Sequence, residues 1–132
     1  MKNSKWTLIL ASAALSLAAF ADPGQPVVVR KAINVSNASI PSGLDNTEPV
    51  AIVSGLFPNS CYSWQAAEVT EVSPLVHEVK SFANVRTGMC LMVIVPFSEE
   101  VALGKFVAGR HTVRFLNGDG TYMEKTVDVN QP

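Results

Sequence analysis

Residues 90–115 read CLMVIVPFSEEVALGKFVAGRHTVRF. The stretch opens on a continuous apolar run, 90–95. It then meets Pro96, continues through Val101 and Leu103, and turns again at Gly109. A short apolar run bounded by turn residues reads as a strand buried on both faces. Residues 90–95 are therefore expected to lie centrally in the fold. From Arg110 the pattern becomes a clean alternation, with Val113 and Phe115 inward and Thr112 and Arg114 outward. His111 is read as an outer-face residue.

Downstream, Asn117-Gly118-Asp119-Gly120 is a hairpin turn, in which glycine and asparagine supply positive φ. Residues 121–129 are the return strand, with Met123, Val127 and Val129 on one face. Lys125 shares that face by parity, which requires either a bulge or a lysine snorkelling at a sheet edge. Upstream, residues 27–35 (VVVRKAINV) are rich in β-branched side chains and read as a strand. Residues 36–49 form a long polar connection with isolated Ile40 and Leu44. Residues 50–56 are a short apolar strand, and 57–60 a turn. Residues 61–72 are ambiguous, because QAAE seeds a helix while the surrounding residues suit a strand. Residues 75–82 read as a strand with Leu75, His77 and Val79 on one face, and 83–89 as a loop.

Seven to eight short strands with turns every 8–12 residues and no clear helix form the pattern of an all-β antiparallel sandwich. The quoted motifs carry a resemblance. Phe57-Pro58-Asn59-Ser60-Cys61-Tyr62, Cys90, Val95-Pro96-Phe97, Val101-Ala102-Leu103-Gly104 and Ala108-Gly109-Arg110-His111-Thr112-Val113 resemble small immunoglobulin-like β-sandwich domains of exported bacterial proteins of unassigned function. The likeness covers residues 50–116. It implies an immunoglobulin-like sandwich and a Cys61–Cys90 bridge, and it implies no catalytic residue. Arg110-His111 stands where that pattern has a residue followed by tyrosine.

The N-terminal segment reads separately. Lys2 and Lys5 precede an uncharged apolar run, and Ala19-Phe20-Ala21 places small residues where signal peptidase cleaves. Residues 1–21 are expected to be a signal peptide and 22–132 a single domain. The apolar run falls short of the roughly 20 residues that span a bilayer. Export places the product in the periplasm or the medium. Without Lys2 and Lys5 the chain carries eight basic and eleven acidic side chains, a net charge of −3. No basic patch is available to neutralise phosphates, so nucleic acid is not an expected partner. Two cysteines in an exported chain read as one disulfide, against the alternative of two buried thiols.

Residues that bear chemistry are few. His77, His111, Met89, Met92 and Met123 do not follow the spacing of a copper site, so no metal or cofactor is expected. Ser54-Gly55 lacks the preceding glycine of a nucleophile elbow. Glu99 and Glu100 point to opposite faces of a strand. The expected function is a non-catalytic module that binds a protein or envelope partner or serves a structural role. The alternative is a secreted inhibitor of a hydrolase. Phe57, Tyr62 and Trp64 cluster around Cys61 and are the candidate contact residues. Their other reading is core packing beside the bridge, as a tryptophan does in antibody-type sandwiches.

Overall fold

A computed structural model of the chain describes residues 26–41 and 47–130. The expected signal peptide lies outside these residues. Eight strands form two sheets: β1 (Val28–Ala32), β2 (Asn37–Ser39), β3 (Val50–Phe57), β4 (Tyr62–Ser73), β5 (Val76–Arg86), β6 (Val95–Ala102), β7 (Gly109–Leu116) and β8 (Tyr122–Val129). One sheet holds β2-β3-β6. The other holds five strands arranged around β5. β4 pairs antiparallel along one edge of β5. The opposite edge is shared by two strands. β1 pairs antiparallel with residues 82–86, and β7 runs parallel to residues 76–80. β8 closes that side by pairing with β7.

Alternation builds the core. In β3, Ala51, Val53, Gly55 and Phe57 point inward, and in β7 His111, Val113 and Phe115 do. Of these, Ala51, Val53, Val113 and Phe115 meet Val79, Val101, Leu103, Phe106 and Val127 in the larger of two apolar clusters. Ile33, Phe57, Ala83 and Phe97 form the smaller one at one end of the sandwich. The β7–β8 register is unbroken, and Lys125 is exposed on the edge strand, so its parity reflects an edge and not a bulge.

The expected antiparallel sandwich is corrected at one pairing: β7 runs parallel to β5, because the chain reaches β7 by crossing over from β6 in the other sheet. Four further expectations are corrected. Residues 90–95 are not a central strand: β6 begins at Val95, and residues 87–94 cross the end of the sandwich with their side chains largely in solvent. Among the described residues no strand pairs with this segment, and its exposed apolar side chains are not used in the core. Residues 83–86 continue β5, because β1 and β4 pair with it that far. Pro96 lies inside β6 and not at a turn, which an edge strand paired only with β3 tolerates. His111 is fully buried, and it shares its face with Val113 and Phe115. In addition, the expected long connection at 36–49 contains the short β2. The ambiguous 61–72 segment is strand β4, whose register slips between Trp64 and Ala66.

The 117–120 turn is tied to the chain leaving β1. The Val35 amide donates to the Asn117 Oδ1 at 2.8 Å, and Asn34 Nδ2 donates to Asp119 at 3.3 Å. The two glycines there serve different ends. Gly120 has φ +91°, whereas Gly118 does not adopt positive φ. A Cβ on Gly118 would lie 2.6 Å from the Ala32 carbonyl oxygen. Gly120→Ala should cost about 1–2 kcal/mol through left-handed strain. Gly118→Ala should cost about 1–3 kcal/mol, because backbone must move. Equal melting of Gly118→Ala and the parent protein would refute the close-approach argument.

Candidate functional site: an apolar tip held by a disulfide

The end of the sandwich where β3 leaves and β4 enters is shaped by a short turn. Asn59 Oδ1 accepts the Cys61 amide at 2.9 Å, which fixes the turn and aims the Cys61 side chain across to residue 90. Cys61 and Cys90 are bridged, with Cα atoms 5.3 Å apart. Cys61 is buried and Cys90 half-buried. The bridge joins the β3–β4 turn to the β5–β6 connection at the end of the molecule. It does not cross the middle of the sandwich from strand to strand.

Two further bonds clamp the β5–β6 connection. The Ser60 amide donates to the Leu91 carbonyl at 3.0 Å, and the Leu91 amide donates to Ser60 Oγ at 2.7 Å. The segment is thus fixed at its middle while its side chains face outward. Met89 and Met92 expose 94% and 83% of their surface, and Leu91, Val93 and Ile94 each more than half. From Gly88 to Phe97 no side chain is charged or carries a nitrogen or oxygen. Val27 and Val28, also exposed, begin β1 beside this segment, where the Val27 amide and carbonyl are both bonded to Thr87. These exposed apolar residues are consecutive in the chain and not scattered singly over the surface.

The three aromatic residues singled out in the sequence lie just beneath. Tyr62, Phe57, Phe97 and Trp64 form a continuous stack, with centroid separations of 5.8, 4.4 and 5.8 Å. Phe57 is buried, while Tyr62 and Trp64 are half-buried on the inner side of β4. Trp64 packs against both apolar clusters. Tyr62 also lines an open groove of about 360 Å³ with Lys31, Leu56, Phe57 and Asp119. Lys31 Nζ donates to its hydroxyl at 3.3 Å. The structure therefore brings the trio together with Phe97, partly withdrawn from solvent, whereas the side chains of residues 89 and 91–94 are exposed.

The profile of the ORF11 beta-sandwich domain matches residues 51–129. The chain belongs to the ORF11 beta-sandwich domain family. Neither a curated protein nor a solved structure matches it. The ORF11 beta-sandwich match spans β3 to β8, and so contains both cysteines, the apolar tip and the aromatic stack.

A second cluster lies within the ORF11 beta-sandwich match at the opposite end of β5. His77 Nε2 and His111 Nδ1 are 2.8 Å apart, and His111 Nε2 is 2.6 Å from the Val107 carbonyl oxygen. A carbonyl only accepts, so His111 Nε2 carries a proton and donates to it. His111 Nδ1 then accepts from His77 Nε2. The Phe106 ring stacks on His77 at 3.9 Å and on His111 at 4.6 Å. Burial, reinforced by His111 and opposed by Glu71, holds the His77 pKa below the ordinary 6.5. His77 also borders a groove of about 360 Å³ with Glu71, Lys105 and Phe106. Among the described residues, no group of three or more His, Cys, Asp or Glu side chains is placed to hold a metal ion. The histidines are engaged with each other, a carbonyl and a ring, so their arrangement is that of a polar core pair.

Proposed function

We propose that this ORF11 beta-sandwich protein is an exported, non-catalytic binding module that engages a protein or envelope partner through residues 89–94. The observation that carries this reading is the apolar tip. Six residues without a charged side chain are held at one end of the fold by a disulfide and two backbone-anchored bonds. Leaving such a surface in water is costly, and fixing it in place lowers the entropy lost on binding. Export rests on the N-terminal signal pattern of residues 1–21. The Cys61–Cys90 bridge is compatible with an oxidising compartment. Among the described residues no helix is long and apolar enough to cross a membrane.

A second reading, inhibition of a secreted hydrolase, is supported by the same clamp, because a bridged, outward-facing segment is a form in which a loop can enter a substrate cleft. The test is the double variant L91D/M92D. Binding of the exported protein to its own envelope fraction should fall at least about tenfold, with the melting temperature within about 2 °C of the parent because both side chains are exposed. Intact mass of the exported protein should correspond to a chain beginning at Asp22. Equal retention of parent and variant would refute a binding role for the tip. Loss of binding accompanied by capture of a hydrolase would select the inhibitor reading.

A further inference from the structure

We infer that the partner of the tip is an anionic phospholipid surface, an inference that rests on the tip being the binding site. The first reason is chemical. The outward side chains of residues 89–94 are Met, Leu, Met, Val and Ile, with no aromatic and no hydrogen-bonding group. Protein interfaces concentrate their binding energy in Trp, Tyr and Arg set in a polar rim. In this protein the aromatics are withdrawn into the stack beneath. A surface of flexible aliphatic and thioether groups suits acyl chains, which demand no shape and offer no hydrogen bonds.

The second reason is charge. The chain without its signal peptide is net negative, yet residues 26–41, 49–67 and 79–98 contain no carboxylate. These stretches include the residues next to the bridge, and their cations are Arg30, Lys31, Lys80 and Arg86, of which Lys80 lies further along β5 opposite Glu68. Arg30 is paired with Glu68 at 2.6 Å. Arg86 is exposed and borders the hollow beside Cys61 with Val28 and Ser60. Lys31 stands over Tyr62 on the groove side. Asp119 borders that groove too and stays ionised, because its hydrogen bonds from Thr121 and Asn34 favour the charged form, so it offsets Lys31 there and leaves Arg86 as the cation beside the bridge. Glu68, Glu71 and Glu78 lie away from the bridge along β4 and β5, Glu99 and Glu100 lie on β6 opposite Val53 and Ile52, Glu48 precedes β3, and Glu124 and Asp128 lie on β8. Charge on the molecule is therefore polarised, and an anionic surface would orient the tip toward itself.

The third reason is depth. Side chains inserted roughly 5–10 Å reach the boundary between headgroups and acyl chains, where backbone groups of residues 92–94 still meet water. Deeper insertion would strand those backbone groups. The clamp at Ser60 and Cys61 keeps the segment at the surface of the fold and sets that limit.

The test is flotation of the full, disulfide-bonded protein with vesicles of phosphatidylglycerol and phosphatidylethanolamine, and separately with phosphatidylcholine alone. The parent should float with the anionic vesicles, less so at high salt and weakly with the neutral ones. L91D/M92D should lose at least about tenfold in affinity. Arg86→Gln should lose about fivefold on anionic vesicles and nothing on neutral ones. Trp64 emission and melting temperature report that each variant is folded. Equal flotation of parent and L91D/M92D overturns the inference, as does an Arg86→Gln variant indistinguishable from the parent on anionic vesicles. Failure of the parent to float, with a photo-crosslinker at position 92 trapping a protein or a second copy of this chain, overturns the lipid inference and leaves the binding reading standing. Failure to float together with equal envelope retention of parent and L91D/M92D overturns both.

Discussion

Removing the bridge as Cys61→Ala/Cys90→Ala should lower the unfolding free energy by roughly 2–5 kcal/mol, as for other small bridged domains. The two cysteines are 29 residues apart in the chain, and the loop contains β4 and β5 entire. Chain entropy for a loop of that length gives roughly 3–4 kcal/mol, through the denatured state. The native side adds a local effect. Without the bridge, residues 87–94 are held by the Thr87–Val27 bonds at their start and by the two hydrogen bonds between Ser60 and Leu91 at their middle. The tip should therefore lose both definition and affinity, although its composition is unchanged. Urea denaturation of parent and double variant measures the first effect. Flotation of the reduced and oxidised parent measures the second. Coincident urea midpoints would show that the sheets alone fix this end of the fold.

The same segment shows where reading the sequence stops. The β7–β8 hairpin was legible because alternation and turn chemistry agree: Val113 and Phe115 inward, Asn117 to Gly120 at the bend. β3 was legible for the same reason. β4 was ambiguous because its QAAE segment favours a helix, while the strand is imposed by pairing with β5, a contact distant in sequence. Residues 90–95 read as a central strand because an apolar run is written the same way whether it is buried or exposed. Only the position of Cys90, bridged at the end of the sandwich, distinguishes the two. The signal for His111 was present: it shares parity with Val113 and Phe115, and its polar identity was allowed to outweigh that parity. Its partner His77 was placed on the correct face with Val79, yet nothing in either local stretch says that two histidines 34 residues apart meet.

That meeting carries the remaining large effect. His111→Ala should cost about 3–5 kcal/mol, since it removes a fully buried ring and leaves the His77 Nε2–H and the Val107 carbonyl without their partner. The pair should also make stability depend on pH, with a definite sign. Desolvation first, then repulsion from His111, lowers the folded pKa of His77 below 6.5, while Glu71 raises it less. The unfolded chain keeps a value near 6.5, so between the two values it binds more protons than the folded chain. Stability then rises with pH across that window. Going down in pH, it falls from about 6.5 and levels off once the folded His77 also protonates. Asp119, whose carboxylate is held below the usual 3.8 first by the Thr121 hydroxyl, contributes a separate loss at more acidic pH. Melting of the parent and of His77→Phe, which keeps a ring against Phe106, should be compared between about pH 8 and pH 5. The parent should lose melting temperature as the pH falls through 6.5. His77→Phe, lower throughout because His111 Nδ1 loses its donor, should lose less over the same interval. A parent whose melting temperature does not change across that range would refute the linkage and leave the pair as a packing element alone.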